Sequence, residues 1–460
     1  MNEQLSSDWQ NVAGLLQTAV SEATTFLHNL PTHPAAVAPT LQPLDKLPQR
    51  GIGADAALAL FQNKYRQQMS GSAGPRYLGF VTGGATPAAL LGDWLASTYD
   101  QNVTADHDSA APQVEAAAIQ MLRELFGLPG VFVGSFVSGA TISNFMGLAQ
   151  GRQWIAQQQG VDVAQEGLYG LRPFPIFAAS PHASSTKSLA MLGMGKQTLT
   201  CIPTLPNREA MDVAALAQQL EKLGNVPSIV IVSGGTVNTV DFDDLQAIGK
   251  LKKRHNFWLH LDAAFGGFAV CSPKFKHLLA GAEWADSITI DAHKWLNVPY
   301  DSAMQFSRHP ELQWQVFQNT AVYLGPLQET PSLVHWTPQN SRRFRALPAW
   351  MSLMAYGRDG YREIVERNCA QAAWLGDKIS QSSQFQLLAP VRLNVVCFTF
   401  AQECTLTEIH AYLDKLRDDG RIFLTPTQYK GTPAIRAAFS NWQTQPHDLE
   451  ICWQALMDTL

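Results

Sequence analysis

The sequence predicts an α/β protein with a mostly parallel central sheet, helices on both faces, and a smaller α+β C-terminal domain. Three observations carry this prediction. Short apolar runs alternate with helical runs from about residue 84 to 345. The pattern then changes to one long helical run followed by two well-separated apolar runs. Conspicuous polar residues stand where the apolar runs end. Strand–helix alternation implies parallel strands joined by crossover helices, and ligands in such sheets collect at the carboxyl ends of the strands.

The elements follow in order. In residues 8–30, Trp9, Val12, Leu15, Leu16, Val20, Ala23 and Phe26 recur at helical spacing. Prolines at 31, 34, 39, 43 and 48 exclude both helix and central strand, so an extended connector is expected there. Residues 112–127 read as an amphipathic helix, VFVGSF (131–136) as a strand and 141–157 as a helix. PIFAAS (175–180), SIVIVSG (228–234), FWLHLD (257–262) and SITID (287–291) read as strands, with helices at 211–223 and 243–254 between some of them. A helical run at 347–382, a strand within VRLNVVCFTF (391–400), a further helix and AIRAAFS (434–440) complete the chain. The expected division is an N-terminal helical and extended segment over 1–75, a large domain over 76–345 and a small domain over 346–460.

Composition narrows the function classes. Of 460 residues, 46% are apolar and 15% charged, a globular balance that excludes disorder. A net charge of -5 and scattered cations argue against a nucleic-acid partner; Lys252-Lys253-Arg254 reads as the solvated end of a helix. The cysteines at 201, 271, 369, 397, 404 and 452 form no C-x-x-C pair, so neither a metal site nor a disulfide framework is expected. No apolar run is long enough to span a bilayer, and the N-terminus lacks signal-peptide character. A soluble cytoplasmic protein is expected.

The strand ends carry the chemistry. Asp262 closes an apolar strand, where a carboxylate is costly without a partner. Lys294 follows another such strand, flanked by His293 and Trp295. Together they match the two anchors that pyridoxal phosphate requires, an amine for its aldehyde and a carboxylate for its pyridine nitrogen. A structural Asp–Lys ion pair is the other reading. In SFVSGATISNF (135–145) a strand runs into small residues and a helix start, which suits an anion or is an ordinary capped turn. His182, in SPHASSTKS (180–188), is either a ring to lie on a flat cofactor or a plain loop histidine.

These stretches together resemble the group II pyridoxal-phosphate-dependent decarboxylases, whose members act on aromatic amino acids, histidine, tyrosine and glutamate. The resemblance runs from about residue 76 to the C-terminus. WLHLDAAFGGFAV and SITIDAHKWLNVPYDSAMQF are similar to the family's aspartate and lysine motifs, FVSGATISNFMGLAQGR to its phosphate loop and SPHASSTKSLAMLGMG to its histidine motif. RRFRALPAWMSLMAYGRDGYREIVERN and LTPTQYKGTPAIRAAFSNWQTQPHDLE resemble segments of its small domain.

The resemblance implies the fold type I architecture of the aspartate-aminotransferase-like enzymes. It implies that Lys294 holds the cofactor as a Schiff base, Asp262 binds the pyridinium and His182 stacks on the ring. Gly139, Ala140 and Thr141 take the phosphate, with Ser287, Asp291 and His293 nearby. Thr236 is a further cofactor contact. Thr82 and Phe80 face the substrate, with 77–82 and 101–107 lining its pocket; Gln101, Asp106 and His107 suit a polar side chain and Phe80 an aromatic one. A homodimer with shared active sites is implied.

The chain departs from the family at three places. Gly235-Thr236-Val237 has lost a second threonine, Asp291 replaces a commoner residue, and the segment between Tyr323 and Trp336 is short. Many aromatic-amino-acid decarboxylases of that family carry there a longer loop whose tyrosine protonates the carbanionic intermediate. Here Leu333 or a neighbour falls at its place, leaving Tyr323, His335 and His182 as candidate donors. The expected reaction is decarboxylation of an amino acid to its amine. The alternatives are decarboxylation with oxidative deamination to an aldehyde, a carbon–carbon lyase, or a cofactor-free protein that retains the fold.

Overall fold

Five of the anticipated apolar runs lie in one sheet. The computed structural model describes residues 2–104, 108–319 and 332–460. The large sheet has seven strands: β1 (Val133–Val137), β2 (Ile176–Ala178), β3 (Leu199–Cys201), β4 (Ser228–Ser233), β5 (Phe257–Asp262), β6 (Ser287–Asp291) and β7 (Ala303–Ser307). Their spatial order is β1-β7-β6-β5-β4-β2-β3. The run β3-β2-β4-β5-β6 is parallel, and β7 pairs antiparallel with both β6 and β1. β4, β5 and β6 are buried along their whole length.

Two strands of this sheet were not legible in the sequence. β3 is a half-exposed edge strand, so burial imposes no apolar pattern on it. β7 is fully buried, but Gln305 and Ser307 break its apolar run.

Helix Ala140–Gln158 packs across β5, β6 and β7. Its closeness depends on two glycines one turn apart. A Cβ at Gly147 would lie 2.6 Å from His260 Nδ1, and one at Gly151 would lie 2.8 Å from Trp258 Cδ1. Both targets are on β5, so this helix can approach the sheet only with glycine at these positions.

The long helical run is present as Ala346–Gln381, bent at Gly357, whose φ of 57° and ψ of -165° interrupt the helix. Beyond it lies a second, antiparallel sheet in the order β10-β11-β9-β8. Its strands are β8 (Phe385–Leu387), β9 (Val395–Phe400), β10 (Thr425–Tyr429) and β11 (Thr432–Ala438). Helices Leu406–Asp419 and Pro446–Asp458 pack against one another, and their buried faces join the core beside this sheet. Residue Leu78 enters that core, and Tyr77 bridges to Phe423.

At the N-terminus, helices Glu3–Gln10 and Val12–Asn29 bury none of their residues. The Pro-rich stretch after them is extended, and Leu41, Leu44 and Leu47 stand almost fully exposed. No helix among the described residues is long and apolar enough to cross a membrane.

The edge strand β1 is held by a buried ion pair. Both Glu115 and Arg342 have fully buried side chains. Glu115 accepts from Arg342 at 2.7 and 2.8 Å and from the Phe136 N–H at 3.1 Å, while Arg342 donates to the Phe136 carbonyl at 3.1 Å. Removing the cation leaves a carboxylate unpaired in the core. Arg342→Ala is therefore expected to cost about 3–5 kcal/mol, read from denaturant unfolding. A loss under about 1 kcal/mol would mean that water reaches Glu115.

Candidate active site

The parallel register brings the carboxyl ends of β4, β5 and β6 together. Ser233 pairs with Asp262, and Asp291 closes β6 next to it. Over these ends lies a cleft of about 340 Å³. Lys294, Asp262, His182, Asp291 and His293 line it, as do Gly139, Ala140, Thr141, Thr236 and Phe80.

Asp262 is buried. Its Oδ2 accepts from Asn144 Nδ2 at 2.9 Å and its Oδ1 from the Ala264 N–H at 3.2 Å. Lys294 sits on the four-residue helix Ala292–Trp295, with Nζ 2.7 Å from Asp291 Oδ2 and 5.6 Å from the centroid of the Phe265 ring. The lysine thus pairs with Asp291 and not with Asp262, so the simple Asp262–Lys294 ion pair is not formed. Asp291 Oδ1 is buried without a hydrogen-bond partner among the described residues.

His182 opens its ring to the cleft and caps helix Ala183–Met191, its Nδ1 accepting from the Ser184 N–H at 3.2 Å. Desolvation by the surrounding walls holds its pKa below the ordinary imidazole value, against the pull of Asp262. His293 stacks on Tyr300 with centroids 4.3 Å apart, and desolvation lowers its pKa too. Gly139 caps helix Ala140–Gln158 without a side-chain bond, so the first-turn N–H groups are not taken by a capping side chain.

Two expected contacts are not in the cleft. Ser287 is fully buried beneath it, bonded to His260 Nδ1 at 2.7 Å and to Trp258 Nε1 at 3.1 Å. It begins β6 whereas Asp291 ends it, and four residues of strand span roughly 13 Å. One small group cannot touch both. Thr82 is also buried, its hydroxyl 3.3 Å from that of Tyr300. Thr236 lines the cleft, but its hydroxyl donates to Glu209 at 2.5 Å.

Among the donor candidates, His335 is buried away from the cleft, with Nδ1 accepting from the Asn319 N–H. Tyr323 lies outside the described residues, as do Asp106 and His107. Gln101 donates to the Tyr99 carbonyl and does not reach the cleft.

Sequence reasoning missed Arg436. Its guanidinium enters the cleft from β11, donates to the Val237 carbonyl at 2.9 Å and leaves Nε without a partner among the described residues. The signal was a lone arginine inside the apolar run AIRAAFS. Gly83 was missed as well: a Cβ there would fall 1.7 Å from the Lys294 carbonyl oxygen. The preceding residues Phe80 and Val81 take φ values of 58° and 60°, a conformation costly for a β-branched residue. This wedge abuts the lysine's own backbone.

The set suits pyridoxal phosphate: an amine, a buried carboxylate without a cationic side-chain partner among the described residues, an imidazole and a helix start around one cleft. Comparison with known proteins agrees. Residues 49–401 match the pyridoxal-dependent decarboxylase conserved domain. The chain belongs to the pyridoxal-dependent decarboxylase family. Pyridoxal phosphate is accordingly its cofactor.

An aromatic-L-amino-acid decarboxylase of Drosophila lebanonensis is 33% identical over 233 residues, covering 50% of this chain and 57% of that protein. The match thus spans little more than half of that relative's length. The Bacillus atrophaeus protein of the same name is 26% identical over 88% of this chain and 85% of its own. The crystal structure of Oryza sativa TDC with PLP and tryptamine superposes with a TM-score of 0.88, at 23% identity over 98% of this chain and 97% of that one. That likeness gives the fold.

The buried base of the site makes stability depend on pH. Full burial pushes the His260 pKa down from 6.5 to about 4. Between those values the unfolded chain takes up a proton that the folded chain refuses, so this contribution to stability falls as pH drops through the window. His260→Gln lacks the group. From pH 7 to pH 4 the wild type is expected to lose roughly 3 kcal/mol more than this variant in urea unfolding. Equal losses would show that His260 titrates normally.

Proposed function

We propose that this protein decarboxylates an amino acid with an aromatic side chain to its amine, with pyridoxal phosphate attached to Lys294 as a Schiff base. The observation that carries the reading is the convergence of Lys294, Asp262, His182 and Arg436 on one cleft beside the first turn of helix Ala140–Gln158. The names of the relatives support the substrate class, as does Phe80 at the cleft, beside Phe423, on which Tyr77 stacks.

When bound, pyridoxal phosphate draws into its ring the electron pair left at Cα as the carboxylate departs. Asp262, held by two N–H donors, would keep the ring nitrogen protonated. The backbone of Gly139, Ala140 and Thr141 meets the phosphate at the helix start. Asp291 orients the Lys294 amine and can hold the proton it sheds. Thr236 and His293 wall the cleft. Arg436, a buried cation with no carboxylate partner among the described residues, receives the substrate carboxylate. His182 covers the ring and returns a proton to Cα; of the two described donor candidates, it is the one that lines the cleft.

We also infer a cytoplasmic homodimer. All six cysteines are free, which suits a reducing compartment. Trp9, Leu16, Leu41, Leu44 and Leu47 are exposed apolar residues along the N-terminal segment, an area suited to burial against a second copy.

Two experiments test this reading. Lys294→Ala should yield no borohydride-trapped adduct and no turnover; trapping at another lysine with wild-type turnover would remove Lys294 from its role. Product analysis by mass spectrometry across the common amino acids should find an amine from an aromatic substrate, with no oxygen uptake. Aldehyde with peroxide would replace the amine reading by oxidative deamination. Turnover confined to acidic or small substrates would overturn the substrate class.

A further inference from the structure

Beneath the cleft runs a chain of side-chain hydrogen bonds whose polarity is fixed at both ends. At one end, Trp258 Nε1 can only donate, and it donates to Ser287 Oγ at 3.1 Å. At the other, Asp262 accepts at both oxygens, from the Ala264 N–H and, at 2.9 Å, from Asn144 Nδ2. Asn144 Oδ1 therefore faces away from the carboxylate, 2.9 Å from His260 Nε2. His260 is fully buried and neutral, so its one ring proton must lie on Nε2, and Nδ1 accepts from Ser287 at 2.7 Å.

The second N–H of Asn144 donates to Ser184 Oγ at 2.9 Å. Ser184 Oγ is thereby left to give its own proton to His182 Nδ1, 2.7 Å away. The Ser184 N–H reaches the same nitrogen. With Nδ1 accepting twice, the ring proton of neutral His182 resides on Nε2. Asp262, Asp291, Lys294 and Arg436 are the charged groups that act on that ring.

We propose that Asn144 and His260 are positioning residues that hold a hydrogen bond on Asp262 and fix His182 as the tautomer with its proton on Nε2, available to the cleft. Neither residue touches the reacting atoms; each acts through Asp262 or His182. This rests on the reading that those two residues face pyridoxal phosphate. It adds the reason why a histidine there donates a proton instead of accepting one. It also gives a function to Ser287, which passes the polarity on, and to Gly147, whose missing Cβ leaves room for the His260–Ser287 pair.

The test uses the full-length chain labelled with ¹⁵N-histidine, measured without and with pyridoxal phosphate. His182 ring signals are assigned by their loss in His182→Gln. In the unliganded wild type, Nε2 should carry the proton and Nδ1 none; a proton on Nδ1 overturns the proposal without any variant. In Asn144→Asp, the Ser184 hydroxyl turns to the new carboxylate, and a population of His182 protonated on Nδ1 should appear. Its absence overturns the relay. The dissociation constant for pyridoxal phosphate should rise about tenfold or more in Asn144→Leu, which removes a hydrogen bond to a carboxylate, and in His260→Leu, which frees Asn144 to turn away from it. His260→Gln keeps an N–H near the place of Nε2 and should stay within about threefold. Equal weakening by Gln and Leu at 260 would mark a merely structural role and overturn the positioning claim. If the wild type binds pyridoxal phosphate without the absorbance band of a lysine linkage, the role of Lys294 fails while the tautomer result stands.

Discussion

A carboxylate held below the protein surface at the end of β5 sets the terms for everything around it. Asp262 carries a charge that burial penalises, and no cationic side chain of the described residues neutralises it. Two N–H donors satisfy part of its need, one from helix Ala140–Gln158 and one from its own chain. What remains is directed at the cleft. The close helix–sheet packing permitted by Gly147 and Gly151 is thus part of the site's chemistry, because it delivers Asn144 to the carboxylate. A bulkier residue at either position would lift the helix off β5 and withdraw that donor.

The lysine is fixed by different means. A four-residue helix cannot hold a side chain in place by its own hydrogen bonds. Distant segments pin it instead. The Lys294 carbonyl accepts from Asn297 Nδ2 at 3.1 Å, and the same amide donates to the Ser440 carbonyl at 2.8 Å. Asn297 adopts a φ of 56°, and Gly83 packs against the lysine backbone from the other side. Left-handed backbone at Phe80, Val81 and Asn297 is concentrated around this one turn. Each such residue costs on the order of 1–3 kcal/mol, which the packing of three segments must offset.

Much of this was legible in the sequence, and the limits are physical. Asp262 stood out because it closes an apolar strand, and Lys294 because it follows one. His260 and Arg436 interrupt apolar strands, yet a single sequence gives no sign of which polar group each one meets. Asn144 left no signal, because helix Ala140–Gln158 is buried on so many sides that its polar residues do not mark a solvent face. Ser287 was misplaced for a geometric reason: proximity to Asp291 along the chain becomes distance along an extended strand. The large sheet was read through its buried strands. Edge strand β3 and the polar-interrupted β7 escaped, since the apolar pattern reports burial and not pairing.

Arg436 ties the reaction centre to the second sheet. It leaves β11, crosses to the cleft and donates to the Val237 carbonyl, at the position where a second threonine is absent. The loop it meets is bonded to the same sheet twice more: Asn238 donates to the Gln428 carbonyl at 3.2 Å and accepts from Thr427 Oγ1 at 2.6 Å. On its inner side that loop is held by Glu209, which accepts from Thr236, Thr239 and Asn238. Loop and guanidinium therefore move together or not at all. A shift of the second sheet would carry the Arg436 guanidinium relative to Lys294 and Asp262, which lie at the strand ends of the large sheet. Since bond choice in such chemistry depends on how the substrate is oriented, the docking of the two sheets sets the geometry on which the decarboxylation reading depends.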